Sequence, residues 1–241
     1  MKVINLISGP RNISTALMYS FAQRTDCTVL DEPFYGYYLK NSTLPFKHPS
    51  EQEILATMEH GSKNIINSIN HLAKTSMVFV KGMAHHYLTK KPTHILSWEN
   101  VILIRQPEKL IRSFSKVISN PSSADIGIKK ASDLFLFLKE SGKQPLVIDS
   151  DELMKNPENY LKKICLHLQI PYSEKMLHWK TEGIKEDGIW AKHWYANVHK
   201  STGFLKQENK TEAAFPTHLI PLLNEVIPYY EMLKENILKN E

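Results

Sequence analysis

The segment 7–17 combines side chains that bind anions with an order of elements that favours anion binding. It reads Ile-Ser-Gly-Pro-Arg-Asn-Ile-Ser-Thr-Ala-Leu and joins an apolar, strand-like run to a helical pattern. The first N–H groups of a helix are unpaired and lie at the positive end of its dipole. Gly9 allows a close backbone turn, Arg11 supplies a permanent planar cation, and two hydroxyls follow. The residues suited to hold an anion are Gly9, Pro10, Arg11, Asn12, Ser14 and Thr15.

The same segment departs from the loop that binds nucleoside triphosphates. That loop reads Gly-x-x-x-x-Gly-Lys-Ser/Thr, whereas here Ile13 precedes Ser14, and the second glycine and the lysine are missing. Because that lysine reaches the terminal phosphates, the sequence disfavours ATP hydrolysis. The alternative interpretation of the segment is an ordinary strand-to-helix turn capped by Asn12 or Ser14.

A second anion-binding pattern follows the apolar run 101–104. The run ends in Arg105, a proline-led helical pattern begins at Pro107, and Ser113 lies eight residues after the arginine. An arginine at the end of a strand and a hydroxyl two turns into the next helix can converge on one anion. The sequence therefore offers two anion sites.

With these two motifs in this order, the chain resembles the sulfotransferases that use 3′-phosphoadenosine 5′-phosphosulfate (PAPS). In that family the first loop, typically (K/R)-S-G-T-(T/S), holds the 5′-phosphosulfate, and an Arg and a Ser eight residues apart hold the 3′-phosphate. The resemblance implies that Arg105 and Ser113 form the 3′-phosphate site. It implies a 5′-phosphosulfate site made of Arg11, Asn12, Ser14 and Thr15. The expected product is adenosine 3′,5′-bisphosphate (PAP).

The chain also departs from the family pattern at two places. The usual Ser-Gly after the basic residue is Asn12-Ile13 here. The family's C-terminal Lys-Gly…Gly-x-x-Lys loop is present only in part, as Lys-Ser-Thr-Gly-Phe-Leu-Lys over 200–206. The resemblance implies cofactor contacts for Gly203 and Lys206 in that loop.

Sulfuryl transfer to a hydroxyl needs a base near the acceptor proton. Asp31 and Glu32 follow the second strand-like run, and in several members of the resembled family a Glu at this point is the base. We assign the role to Glu32, with Asp31 second, because extended backbone would point the two carboxylates in opposite directions. The alternative is a structural ion pair with Arg11. As a catalytic residue, Arg11 would stabilise the charge that grows on the departing phosphate oxygen.

The segment Lys-Gly-Met-Ala-His-His over 81–86 follows the third strand-like run. His85 or His86 could contact substrate or act as the base in place of Glu32; the alternative is a helix-capping or surface role. Adjacent histidines on a helix point about 100° apart, so we expect no metal site. We expect Lys81 to face the sulfate.

These residues fall at the ends of alternating strand-like and helical segments, which is typical of an α/β protein. We expect a three-layer sandwich with a central parallel sheet, and the resemblance implies the P-loop NTPase-like (sulfotransferase) topology. Strands are predicted at 2–8, 27–31, 76–81, 100–105 and 145–149. Helices are predicted at 14–24, 51–74 with a break near Gly61, 107–118, 125–141, 151–155, 157–168, 173–179 and 216–237. Ligands of such sheets bind where the strands end.

Two aromatic groups accompany this pattern. The first group follows the second predicted strand and consists of Phe34, Tyr35, Tyr37 and Tyr38. These residues could line an acceptor pocket or pack in the core. The segment 180–212 is basic and shows no period, which indicates a disordered stretch or a lid. One of its flanking aromatic residues could stack on adenine; these are Trp179, Trp190, Trp194 and Tyr195.

The composition is that of an ordinary globular domain. The chain has 241 residues, 42% of them hydrophobic, and a net charge of +5, which suits an anionic ligand without implying nucleic acid. Cys27 and Cys165 have no metal or redox spacing and are expected to be free thiols. No apolar run approaches a membrane span. We therefore expect one domain over 1–241, cytoplasmic and not membrane-bound.

The sequence predicts a PAPS-dependent sulfotransferase that modifies a hydroxyl or amine of a small soluble acceptor and needs no metal. A nucleotide or small-molecule kinase is the first alternative, and the missing Gly-Lys pair disfavours it. A non-catalytic module that binds PAP or another nucleotide is the second.

Overall fold

The computed structural model describes residues 2–43, 48–204 and 214–239. Within these ranges the predicted apolar runs form one five-stranded parallel sheet in the order β2-β3-β1-β4-β5. The strands are β1 (Val3–Ser8), β2 (Cys27–Asp31), β3 (Met77–Met83), β4 (Glu99–Ile104) and β5 (Leu146–Asp149). Every strand lies within two residues of its predicted bounds, because short runs of apolar residues that are buried on both faces are typical of parallel strands.

The helices connect these strands and continue after the last one. In chain order they are α1 (Ser14–Ala22), α2 (Tyr35–Asn41), α3 (Glu51–Thr57), α4 (Ser62–Leu72), α5 (Pro107–Phe114), α6 (Ser123–Ile126), α7 (Ile128–Glu140), α8 (Ser150–Lys155), α9 (Pro157–His167), α10 (Ala191–Trp194), α11 (Ala196–His199) and α12 (Ile220–Lys234). Helix α2 was not predicted. The pattern at 125–141 is divided by Gly127, whose φ of 75° ends α6, and 174–177 forms a 3₁₀ turn.

Side chains alternate between the two faces of the sheet and build two cores. On β1, Ile7 packs in a cluster that includes α4, α5, α7 and α12. Its neighbour Leu6 packs in the opposite cluster, which includes α1 and α9. This alternation follows from the period of two in a strand. The expected three-layer α/β sandwich is therefore confirmed.

The segment predicted as disordered or a lid is ordered over 180–204. It contains α10 and α11, and His178 pairs with Gly203 in an antiparallel bridge. The Trp179 N–H donates to the Thr202 carbonyl at 3.1 Å. These contacts pack the segment against the domain. The remainder of the predicted segment, including Lys206, lies outside the described residues.

Two smaller expectations concern membranes and thiols. Among the helices in the described ranges, none has the length and apolar character needed to cross a membrane. Cys27 and Cys165 are free, as expected. Burial raises the pKa of Cys27 to about 12 and that of Cys165 to about 11, so both thiols are unreactive at neutral pH.

Candidate active site

The carboxyl ends of the strands open into a cleft of about 780 Å³. Right-handed crossovers bring these ends to one edge of a parallel sheet, although the segments are far apart in sequence. The cleft is lined by the following residues that the sequence singled out: Pro10, Arg11, Asn12, Ser14, Thr15, Glu32, His85, Arg105, Ser113 and Gly203. The tertiary structure thus gathers the predicted anion-binding and catalytic residues into one site.

The loop between β1 and α1 has an unusual backbone. Arg11 and Ile13 adopt left-handed φ values of 59° and 57°, which cost energy for non-glycine residues and cluster at ligand-binding sites. The Asn12 amide donates to the Leu103 carbonyl at 3.0 Å and fastens the loop to β4. The N-cap residue of α1 is Ile13, and no side chain caps the helix. The alternative interpretation, a turn capped by Asn12 or Ser14, is therefore wrong, because no side chain caps the N–H groups of the first turn of α1.

Gly9 is required by close packing. A Cβ atom on Gly9 would lie 2.4 Å from the carbonyl oxygen of Ile126, a distance that no side chain can occupy. The turn that ends α6 therefore packs directly on the start of the loop. A role for Gly9 in cofactor binding stays a prediction.

The two predicted anion sites touch each other. The Arg11 Nε donates to the Ser113 Oγ at 3.1 Å, and the Arg105 guanidinium donates to the Arg11 carbonyl at 2.7 Å. Burial and the charge of Arg105 lower the pKa of Arg11. Two guanidinium groups held this close repel each other and favour an anion between or beside them. Sequence spacing related Arg105 to Ser113, and the structure adds Arg11 to the same cluster.

The two carboxylates at the end of β2 meet on one cation. The Lys81 Nζ lies 2.9 Å from Asp31 Oδ1 and 2.5 Å from Glu32 Oε1. The expectation that they point in opposite directions is wrong, because Glu32 has a left-handed φ of 45° that turns its side chain toward Lys81. Lys81 is fully buried, so the expectation that it faces the sulfate is also wrong. The cation paired with Glu32 is thus Lys81, not the Arg11 of the alternative interpretation.

Tyr195 completes this buried cluster from a distant part of the chain. Its hydroxyl donates to the Asp31 carboxylate at 2.8 Å and accepts from Lys81 at 2.5 Å. The Gly188 N–H donates to the other Asp31 oxygen at 3.0 Å. Asp31 therefore fastens the segment 188–195 to the end of β2, which is a structural role. Sequence reasoning missed this function of Tyr195, since nothing local relates it to β2.

Of the two carboxylates at the end of β2, Glu32 is the one that lines the cleft. Burial raises the pKa of Glu32, and the Lys81 ammonium works against that rise. Burial lowers the pKa of His85 to about 4, and burial also lowers the pKa of His86 well below its ordinary value. Both imidazoles are therefore neutral at pH 7. The His86 Nε2 lies 3.9 Å from Glu32 Oε2, so a carboxylate and a neutral imidazole share this end of the cleft.

Aromatic rings surround the carboxylate. Tyr35 stacks on His86 with 5.0 Å between ring centroids and meets Trp190 edge-on at 5.0 Å. Tyr38 lies 5.1 Å from His85 and 4.9 Å from His86. Tyr35 and Tyr38 line the cleft, and their contact with an acceptor stays a prediction.

Other members of the two aromatic groups have packing roles. Phe34 belongs to the core and lies 6.0 Å from Tyr87. Trp179 packs edge-on against Tyr19 and Phe204. The stacking of one of these rings on adenine stays a prediction. Within the described part of the chain, no group of three His, Cys, Asp or Glu residues could hold a metal ion.

The fold and the cleft define an α/β protein whose predicted anion-binding residues lie together at the edge of a parallel sheet. Comparison with known families agrees: the family described as "Sulfotransferase domain" matches residues 1–237. The chain belongs to this family, as the two motifs around Arg11 and Arg105 indicated.

Solved structures show the same fold. The sulfotransferase domain from the curacin biosynthetic pathway aligns with a TM-score of 0.54 and 15% identity, covering 93% of this chain and 97% of that one. A sulfotransferase from Alicyclobacillus acidocaldarius aligns with a TM-score of 0.53 and 10% identity, covering 98% and 95%. These likenesses concern the fold alone.

Relatives in Arabidopsis thaliana are closer in sequence. Branched-chain-amino-acid aminotransferase-like proteins 1 and 2 are each 38% identical, over 98% and 97% of this chain. The aligned region covers 42% of the length of each relative. The chain therefore spans less than half the length of these curated relatives.

Proposed function

We propose that this protein is a PAPS-dependent sulfotransferase that transfers the sulfuryl group to a hydroxyl or amine of a small soluble acceptor. The observation that carries the proposal is the contact of Arg11 with Ser113 and of Arg105 with the Arg11 backbone. These contacts bring the residues of the two predicted anion sites together in the cleft that Glu32 also lines. We further propose that 1–241 forms one catalytic domain in the cytoplasm.

The residues present fit a nucleotide with two separate anionic groups. The uncapped first turn of α1 and the left-handed loop before it would hold the 5′-phosphosulfate. Arg105 and Ser113 would hold the 3′-phosphate, and Gly203 lines the same cleft. The cleft volume of about 780 Å³ is in the range of small-molecule sites. When bound, PAPS supplies an activated sulfuryl group.

The chain's own residues would move a proton and stabilise charge. As the acceptor oxygen forms its bond to sulfur and the sulfur–phosphate oxygen bond breaks, the acceptor proton passes to Glu32. Lys81 orients the Glu32 carboxylate through one oxygen, at 2.5 Å. Arg11 and the first N–H groups of α1 stabilise the charge left on the phosphate. His85, neutral at pH 7, is the second candidate for the base.

A kinase remains the alternative from another enzyme class. Residue 13, where a triphosphate-binding loop would place its lysine, is an isoleucine with left-handed backbone. The loop therefore lacks the cation that reaches β- and γ-phosphates, which favours a sulfate donor. A non-catalytic nucleotide-binding module would bind PAP as well, so turnover separates it from the enzyme.

PAP is expected to stabilise the protein far more than AMP or ATP. The reason is that PAP alone of the three presents a 3′-phosphate to Arg105 and Ser113. At about 100 times its dissociation constant, PAP should add roughly 2.7 kcal/mol to the free energy of unfolding. Thermal unfolding with each nucleotide at equal concentration measures this. Equal shifts with PAP and AMP would remove the 3′-phosphate site from the proposal.

The Arg105→Ala variant is expected to bind PAP more weakly by about 1.5–3 kcal/mol, the contribution of a charge-assisted hydrogen bond. AMP binding should hardly change, since AMP has no 3′-phosphate. Calorimetric titration of both nucleotides tests this, with Lys129→Ala as a control that removes an exposed cation of α7. Equal loss of PAP and AMP affinity would make Arg105 a structural support of the Arg11 loop.

A further inference from the structure

The cleft has two chemically different ends. Its lysines and arginines, among the described lining residues, come from the loop between β1 and α1, the end of β4, α5 and the turn after α5. They are Arg11, Arg105, Lys109, Arg112 and Lys116. The other end is lined by Glu32, Asp125 and the rings of Tyr35, Tyr38 and Trp190. Whatever binds beside Glu32 therefore meets carboxylates and aromatic faces.

The charge at this second end is negative. Lys81 pairs with Glu32, but it is fully buried and shared with Asp31. One ammonium thus faces two carboxylates. Asp125 adds a further carboxylate on the cleft wall, and it interacts electrostatically with Tyr38, His48 and His85. Since the imidazoles there are neutral at pH 7, they do not offset it.

The rings at this end suit a cation as well. Tyr38 is a half-buried residue that lines the cleft beside His85 and His86. The electron-rich faces of Tyr and Trp attract an ammonium within about 6 Å of the ring centroid. The same rings pack against apolar carbon. An anionic group would meet the carboxylates and gain nothing from these faces.

We propose that the acceptor of this enzyme is an alcohol or phenol that carries a cationic amine, held between the aromatic rings and Asp125 with its hydroxyl toward Glu32. This inference rests on the proposed function, because it takes Glu32 as the base that faces the reacting hydroxyl. The positive end of the cleft then holds the nucleotide, and the negative end selects the acceptor. An acceptor with a carboxylate or phosphate is disfavoured, because its negative charge would be repelled by Glu32 and Asp125.

Three phenols of matched shape test the proposal: tyramine, 4-propylphenol and 3-(4-hydroxyphenyl)propionate. They share the phenol and the two-carbon arm and differ in a terminal ammonium, methyl or carboxylate. The binding of each to the full chain saturated with PAP is measured by calorimetry, and turnover is measured with PAPS. We expect tyramine to bind about tenfold more tightly than 4-propylphenol, and the propionate to bind most weakly.

A pair of variants assigns the preference to Asp125. Asp125→Asn keeps the oxygen that accepts from the Ser122 N–H and removes the charge. It should reduce the preference for tyramine over 4-propylphenol about fivefold. Asp133→Asn makes the same change on the exposed side of α7, where the partner is Lys129, and should leave the preference unchanged.

The outcomes separate the two proposals. Failure of PAP itself to bind overturns the proposed function. If PAP binds, three results overturn the acceptor class alone. These are equal affinity for the three phenols, no binding of tyramine, and a preference for the propionate. A tyramine preference that Asp125→Asn leaves intact overturns the assignment to this end of the cleft.

Discussion

The Glu32→Gln variant is expected to lose about 10²–10⁴-fold in kcat while its affinity for PAP stays unchanged, since general-base catalysis contributes this much. Glutamine keeps the shape of the side chain, and its carbonyl can still accept from Lys81, but it cannot take the acceptor proton. The fold tolerates the change because one carboxylate, that of Asp31, remains to pair with Lys81. Initial rates with PAPS and calorimetric titration with PAP measure the two quantities.

Glu53→Gln is the matched control for this variant. Glu53 is a half-exposed glutamate that pairs with Lys192 at 3.1 Å, outside the cleft lining. Its replacement should change neither kcat nor PAP affinity. If Glu32→Gln weakens PAP binding as much as it lowers kcat, Glu32 supports the loop between β1 and α1 and is not the base.

The pH dependence of kcat distinguishes the two candidate bases. A base must be unprotonated, so kcat falls as the pH falls through its pKa. Burial raises the pKa of Glu32 above its ordinary 4.5, whereas burial lowers that of His85 to about 4. An acidic limb above 4.5 that disappears in Glu32→Gln supports Glu32. A limb near 4 that disappears in His85→Gln moves the role to His85.

The Lys81→Met variant is expected to lower the free energy of unfolding by about 3–5 kcal/mol, the usual cost of removing one partner from a buried ion pair. Methionine fills much of the same space, so the loss comes from charge. Asp31 and Glu32 would be left side by side without a cation in a buried site, and Tyr195 would lose a hydrogen-bond donor. Equilibrium denaturation by urea measures the change.

The direction of the pH dependence gives a second test of the same variant. Buried carboxylates without a cation favour their protonated form. Protonation relieves the repulsion between them, so the destabilisation is largest at neutral pH and shrinks as the pH falls toward about 4. The control Lys129→Met, on the exposed side of α7, should change stability by less than about 0.5 kcal/mol. A similarly small, pH-independent change in Lys81→Met would contradict the structural role of this ammonium.

Local sequence patterns predicted the five strands, most of the helices and many residues of the cleft. Apolar runs predicted the five strands because a parallel strand is buried on both faces, and that pattern is readable without tertiary contacts. Arg11, Glu32, His85 and Arg105 each follow such a run. Since parallel strands end at one edge of the sheet, the alternation of strands and helices was enough to predict that these residues share a site.

Only the tertiary structure decided how these side chains pair. Extended geometry predicted opposite directions for Asp31 and Glu32, but a left-handed Glu32 and a buried Lys81 from the neighbouring strand bring both carboxylates to one ammonium. The partner of that cluster, Tyr195, lies 164 residues from Asp31. The hydrophobic periodicity of a segment indicates which of its residues are buried and which way they point. Hydrogen bonds between distant elements depend instead on the register of the sheet and on where a long connection returns to it. The sequence alone therefore predicted which strand ends share one edge of the sheet, and packing decided which side chains pair there.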